Sequence, residues 1–152
     1  MNVEEIMSRN PRISRVSDKL NRPAQLMWEN ACGCIPVLDD ADQVIGMVTD
    51  RDVCMAAWTQ GRPLSEIPVE VAMAQDVVAC RPEDDVSEVL ARLQARHVRR
   101  LPVVDDADQL LGVISLVDIA RAAERPGASC TLADVAATLV AISATPPEWS
   151  AC

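Results

Sequence analysis

Apolar positions fall into the same order of short runs and helical stripes twice along this 152-residue chain. In the first half, residues 13–16 read as an extended segment. Ser17 or Asp18 then caps a helix running to about Asn30, with Leu20, Ala24 and Met27 on one face at helical spacing. Pro23 falls in its opening turns, where proline is tolerated. Residues 35–38 and 44–48 are apolar runs joined by an Asp-rich turn and read as paired strands. Residues 50–58 read as a second helix, stopped by Gln-Gly-Arg-Pro at 60–63. The second half repeats the order: a strand at 77–80, a helix opening at 82–85 and reaching Arg96, strands at 101–104 and 110–114, and a helix at 116–123. Residues 3–8 and 69–74 read as short helical lead-ins. Past Arg125, Pro126 and Gly127, residues 129–144 predict one more helix. Its Leu132, Val135, Ala136, Leu139 and Val140 share a face suited to core or partner packing, and Pro146 and Pro147 end it.

The two halves also match letter by letter. From Pro36 to Ala57 and from Pro102 to Ala123, eleven of 22 paired positions are identical, which marks an internal repeat at an offset of 66. The offset holds upstream, pairing Val3, Glu4 and Met7 with Val69, Glu70 and Met73. The expected fold is α/β of the α+β kind: two β-α-β-β-α repeats related by a pseudo-two-fold, plus a C-terminal helix. The expected domains are residues 1–62, 63–125 and a C-terminal extension at 126–152. Each copy is small for a core of its own, so one shared core is expected.

Composition narrows the function. A net charge of -9 and a pI near 4.5 argue against nucleic-acid binding. No apolar run approaches the roughly 20 residues that span a bilayer, and the start lacks a secretory pattern, so no membrane and a cytoplasmic address are expected. The Asp-Asp-Ala-Asp tracts at 39–42 and 105–108 read as solvated turns. Cys32 and Cys34 flank one glycine, with no second pair to complete a zinc knuckle, so no metal site is expected. Trp28 and Trp58 read as packing or dimer contacts, and His97 as the end of a helix.

The chemistry concentrates in Gly46-Met-Val-Thr49-Asp-Arg-Asp52 and its match Gly112-Val-Ile-Ser115-Leu-Val-Asp118. A hydroxyl residue followed three positions later by an acid is the capping-box pattern, in which each side chain satisfies a backbone N–H. The same groups suit a ribose phosphate. A helix start presents free N–H groups and partial positive charge to a phosphate, the hydroxyl adds a bond, and an ionised Asp accepts both hydroxyls of a ribose diol.

These paired Gly-h-h-Thr/Ser-x-x-Asp motifs (h, apolar), each preceded by an h-Pro-Val-h-Asp strand at Ile35–Asp39 and Leu101–Asp105, resemble a tandem CBS-domain module, also called a Bateman module. The resemblance covers about residues 3–123. It implies two clefts, each built from both copies, that take adenosine compounds such as AMP, ADP, ATP, NAD or S-adenosylmethionine. One cleft would use Thr49 and Asp52 with walls from Val78, Cys80 and Leu101. The other would use Ser115 and Asp118 with walls from Arg12, Ile13, Ser14, Gly33 and Cys34. Asp52 and Asp118 would take ribose, and Thr49 and Ser115 phosphate. Arg51, Arg99 and Arg100 would reach phosphates and favour the Thr49/Asp52 cleft for a polyanion; the alternative for Arg51 is a solvent-facing side chain paired with nearby acids. The resemblance also implies a homodimer formed through helices.

The leading reading is a non-catalytic adenosine-nucleotide sensor that signals through conformational or oligomeric change to an unidentified regulated protein, with no required cofactor. The alternative is a ligand-free interaction scaffold in which the Thr/Ser–Asp pairs serve only as caps. No catalytic residue is expected, because no nucleophile–base pair surrounds His97 and no glycine-rich phosphate loop is present.

Overall fold

The computed structural model describes residues 1–144; Pro146, Pro147, Trp149 and Cys152 lie outside the described residues. In chain order the elements are β1 (Ser8–Arg9), β2 (Ser14–Arg15), α1 (Asn21–Glu29), β3 (Cys34–Leu38), β4 (Val44–Thr49), α2 (Asp50–Gln60), α3 (Val86–Arg96), β5 (Arg100–Val104), β6 (Leu110–Ser115), α4 (Leu116–Ala123) and α5 (Leu132–Ser143). Single 3-10 turns at Val3–Glu5 and Val69–Val71 form the lead-ins. One sheet has the order β2-β3-β4 and the other β1-β6-β5, giving the expected α+β class.

The chain forms two compact units. A first-repeat unit comprises residues 10–77 and 104–111; a second-repeat unit comprises residues 1–9, 78–103 and the chain from Gly112 on. The lead-ins are therefore exchanged. Val3 and Met7 join Val86, Leu93 and Ile119 in one apolar cluster, while Val69 and Met73 join Leu20, Ile35 and Val48 in another. Each unit thus has its own cluster instead of the single shared core that copy size suggests.

Strand edges make the exchange. β1 runs antiparallel to β6, with Arg9 opposite Gly112, and Ala74 bridges Met47 through backbone bonds of 3.0 and 2.8 Å. This close approach explains the motif glycines. A Cβ on Gly112 would lie 2.7 Å from the Ser8 carbonyl oxygen, and one on Gly46 would lie 2.4 Å from Met73 Sδ.

Three elements depart from expectation. α1 begins at Asn21 instead of Ser17 or Asp18, because the Asp18 carboxylate accepts the Ser14 hydroxyl and the Arg15 N–H, both at 2.8 Å. Leu20 then donates its N–H to the Ile67 carbonyl at 2.9 Å. The strand expected at 77–80 is reduced to one parallel bridge between Cys80 and Val103. On α5, Val135 and Thr138 are buried, whereas Leu132, Leu139 and Val140 are 53%, 45% and 72% exposed. A 2.7 Å bond from Gln94 Nε2 to Thr138 Oγ1 sets that rotation. His97 ends α3 at φ 51°, as its position predicts.

Candidate functional site

Thr49 and Ser115 end β4 and β6 in extended conformation and cap α2 and α4. Thr49 Oγ1 accepts the Asp52 N–H at 3.2 Å and donates to Asp52 Oδ2 at 2.8 Å; the same Oδ2 accepts the Thr49 N–H at 2.8 Å. Ser115 and Asp118 repeat this at 3.2, 2.6 and 2.9 Å. A third pair, Thr131 and Asp134, starts α5 with 3.2, 2.7 and 2.8 Å. That pair lies outside the repeat, so capping alone accounts for the internal geometry of all three. Its Thr-x-x-Asp pattern is the signal in the sequence, standing outside the repeat at 131–134.

Each cap leaves one carboxylate oxygen open. Oδ1 of Asp52 and of Asp118 accepts no hydrogen bond among the described residues, while Oδ2 is committed to the cap. A carboxylate has capacity for further donors, so a diol could be received without breaking the cap.

Within each unit, the approach of β3 or β5 to the helix start is the same. Cys34 is the register partner of Thr49, and the Gly33 carbonyl accepts the Asp50 N–H at 3.3 Å. The Arg99 carbonyl likewise accepts the Leu116 N–H at 3.0 Å. The structure thus brings Gly33 and Cys34 beside Thr49, and Arg99 beside the start of α4.

The other wall residues are held differently. Arg12 Nε donates to Asn30 Oδ1 at 3.0 Å, tying it to the end of α1. Ser14 is buried with its hydroxyl on Asp18; Ile13 and Val78 are half-buried, and Leu101 is buried. Cys80 is 1% exposed, its Sγ 3.6 Å from the Pro102 carbonyl oxygen. Burial, and then the Asp84 charge, push its thiol up to about 12, so it stays protonated near neutral pH.

The arginines divide into bound and open. Arg15 holds Asp42 at 2.6 Å and the Asp39 carbonyl at 2.8 Å, and Arg92 pairs with Asp84 and Glu88. Arg51 and Arg99 are exposed and Arg100 half-buried; none of the three makes an ion pair or side-chain hydrogen bond among the described residues. The nearby acids therefore do not neutralise Arg51. Among the described residues no cluster of three or more His, Cys, Asp or Glu could hold a metal, and no helix is long and apolar enough to cross a membrane.

Comparison with known proteins bears on the family and the fold. The CBS domain profile matches residues 3–58 and 64–125. An uncharacterised protein of Methanopyrus kandleri, MK0525, is 30% identical over 96 residues, covering 63% of this chain and 49% of that protein, so the chain spans about half its length. The CBS domain protein TA0289 of Thermoplasma acidophilum has a TM-score of 0.80 at 23% identity, covering 93% of this chain and 75% of that one. The CBS domain pair of protein MJ0100, in complex with 5′-methylthioadenosine and S-adenosyl-L-methionine, has a TM-score of 0.72 at 21% identity over 80% of this chain and 94% of that one.

Proposed function

The chain belongs to the CBS-domain family with two CBS domains, and from that premise we propose that it is a non-catalytic regulatory module that binds an adenosine nucleotide. The observation that carries the reading is the doubled placement of Asp52 and Asp118, each at a helix start with one carboxylate oxygen open. The open oxygen receives ribose hydroxyls, and the Thr49 or Ser115 hydroxyl with the helix N-terminus receives phosphate. Arg51, Arg99 and Arg100, without an ion-pair partner among the described residues of a chain of net charge -9, supply the cations a polyanionic ligand needs. The adenosine compounds held by the MJ0100 domain pair support this class of ligand. The module works as a cytoplasmic homodimer that passes a ligand-dependent change to a regulated protein, with no cofactor required.

Thermal melting against AMP, ADP, ATP, NAD and S-adenosylmethionine tests the reading. At one hundred times its dissociation constant a ligand stabilises by about 2.7 kcal/mol. Asp52→Asn or Asp118→Asn is expected to abolish the shift, while Asp134→Asn, which alters the same kind of cap outside the repeat, leaves it intact. If no compound shifts melting at millimolar concentration, the scaffold reading takes its place. The identical geometry of the Thr131–Asp134 cap is what favours that second reading.

A further inference from the structure

Each repeat supplies one helix pair, and the two pairs differ in what lies on them. In the second-repeat unit α5 packs on α3 and α4. Leu90, Leu93, Leu116 and Ile119 are at most 7% exposed there, and Gln94 bonds Thr138 on the inner face of α5. At the repeat offset these positions become Ala24, Met27, Asp50, Val53 and Trp28 on α1 and α2. In the first-repeat unit this place is an open groove of about 280 Å³, lined by Ala24, Met27, Trp28, Cys32, Asp50 and Val53. Ala24 in place of Leu90 and Val53 in place of Ile119 put smaller side chains on its floor. Trp28 stands 89% exposed, its indole N–H without a hydrogen-bond partner among the described residues, and Trp58 on α2 is 77% exposed.

The outer side of α5 is equally uncovered. Leu132, Leu139 and Val140 are exposed beside exposed Ala133, Ala136 and Ala137. The helix carries one charge, Asp134, which is bound into its cap. A helix that is apolar all round belongs in a buried setting, and paired apolar patches mark an interaction surface.

We propose that the α1–α2 groove receives the outer face of α5 from a second copy of this chain, so that α5 lies between its own α3–α4 pair and the second copy's α1–α2 pair. The contact continues an interface already formed: the same helix fills the equivalent groove of the other repeat. The polar groups match as well. Thr138 on the inner face of α5 meets Gln94, whereas the outer face has no hydroxyl near its centre and the open groove has Trp28 where Gln94 would stand. Copies with a net charge of -9 repel, so their contact needs a neutral surface. The groove's single acid is Asp50, and the single acid of α5, Asp134, lies in its first turn, away from Leu139 and Val140. The proposal rests on the reading of the chain as self-associating.

Light scattering on the eluting full chain tests it with Trp28→Glu in the groove and the pair Leu139→Glu and Val140→Glu on α5. All three positions are exposed, and unchanged melting confirms that each variant folds. The wild type is expected to self-associate, each variant to associate at least tenfold more weakly, and an equimolar mixture of the two variants to recover association, because an intact groove then meets an intact helix. Loss of association in only one variant, or no recovery on mixing, overturns the proposal and leaves self-association standing. A wild type that stays monomeric overturns both, and neither result bears on nucleotide binding.

Discussion

Asp52 and Asp118 each do two things with one carboxylate: Oδ2 holds the helix start and Oδ1 stays open. Removing the hydroxyl side of the caps, by Thr49→Ala, Ser115→Ala or Thr131→Ala, is expected to cost about 1 kcal/mol each in denaturant unfolding. Equal costs with a ligand effect at Thr49 or Ser115 alone separate binding from capping. The pairs are legible in the sequence because a capping box is local. Which arginines stay open is not legible, because pairing depends on acids brought from elsewhere, as Asp42 is to Arg15 and Asp84 to Arg92. Cys80 carries its own prediction. With its thiol pushed up to about 12, iodoacetamide near neutral pH labels exposed Cys54 and spares Cys80 in the native protein; equal labelling would contradict the buried placement.

Elements were readable where apolar and polar positions contrast. α4 falls where its pattern predicts, but α5, with one charge in twelve residues, offers no polar face to orient it. The start of α1 is not legible because Asp18, a good cap by type, is engaged by Ser14 and Arg15. Strand contacts give a sharper prediction at the glycines. Gly112→Ala sets a methyl 2.7 Å from a backbone oxygen, whereas the nearest atom at Gly46 is a flexible methionine sulfur. Gly112→Ala is therefore expected to destabilise by about 1–3 kcal/mol in urea, and Gly46→Ala by less. The reverse order would contradict the pairing of β1 with β6.

At the scale of the molecule, the repeat and its α+β class were visible in sequence identity alone. The exchange of lead-ins was not, since the same apolar letters pack equally well on either copy. Asp84, Asp85 and Asp134, all in the second-repeat unit, are held below the ordinary carboxylate value of 3.8. Burial pushes Asp84 up, but the Arg81 N–H and the Arg92 guanidinium outweigh it; the Ser87 hydroxyl and N–H with the chain's ammonium lower Asp85, and Thr131 lowers Asp134. Because the folded values lie below the unfolded ones, this stability is present above about pH 4 and is lost as pH falls through the folded values. Acid melting is expected to set in below about pH 4 and to be shallower in Asp84→Asn; an unchanged profile contradicts the assignment.

The central claim is met most directly by calorimetric titration of the adenosine compounds into wild-type protein and into an Asp52→Asn, Asp118→Asn double variant. Saturable binding of at least one compound to the wild type, lost in the double variant, is the predicted result. No saturable heat at millimolar concentration, or equal binding by both proteins, would contradict it.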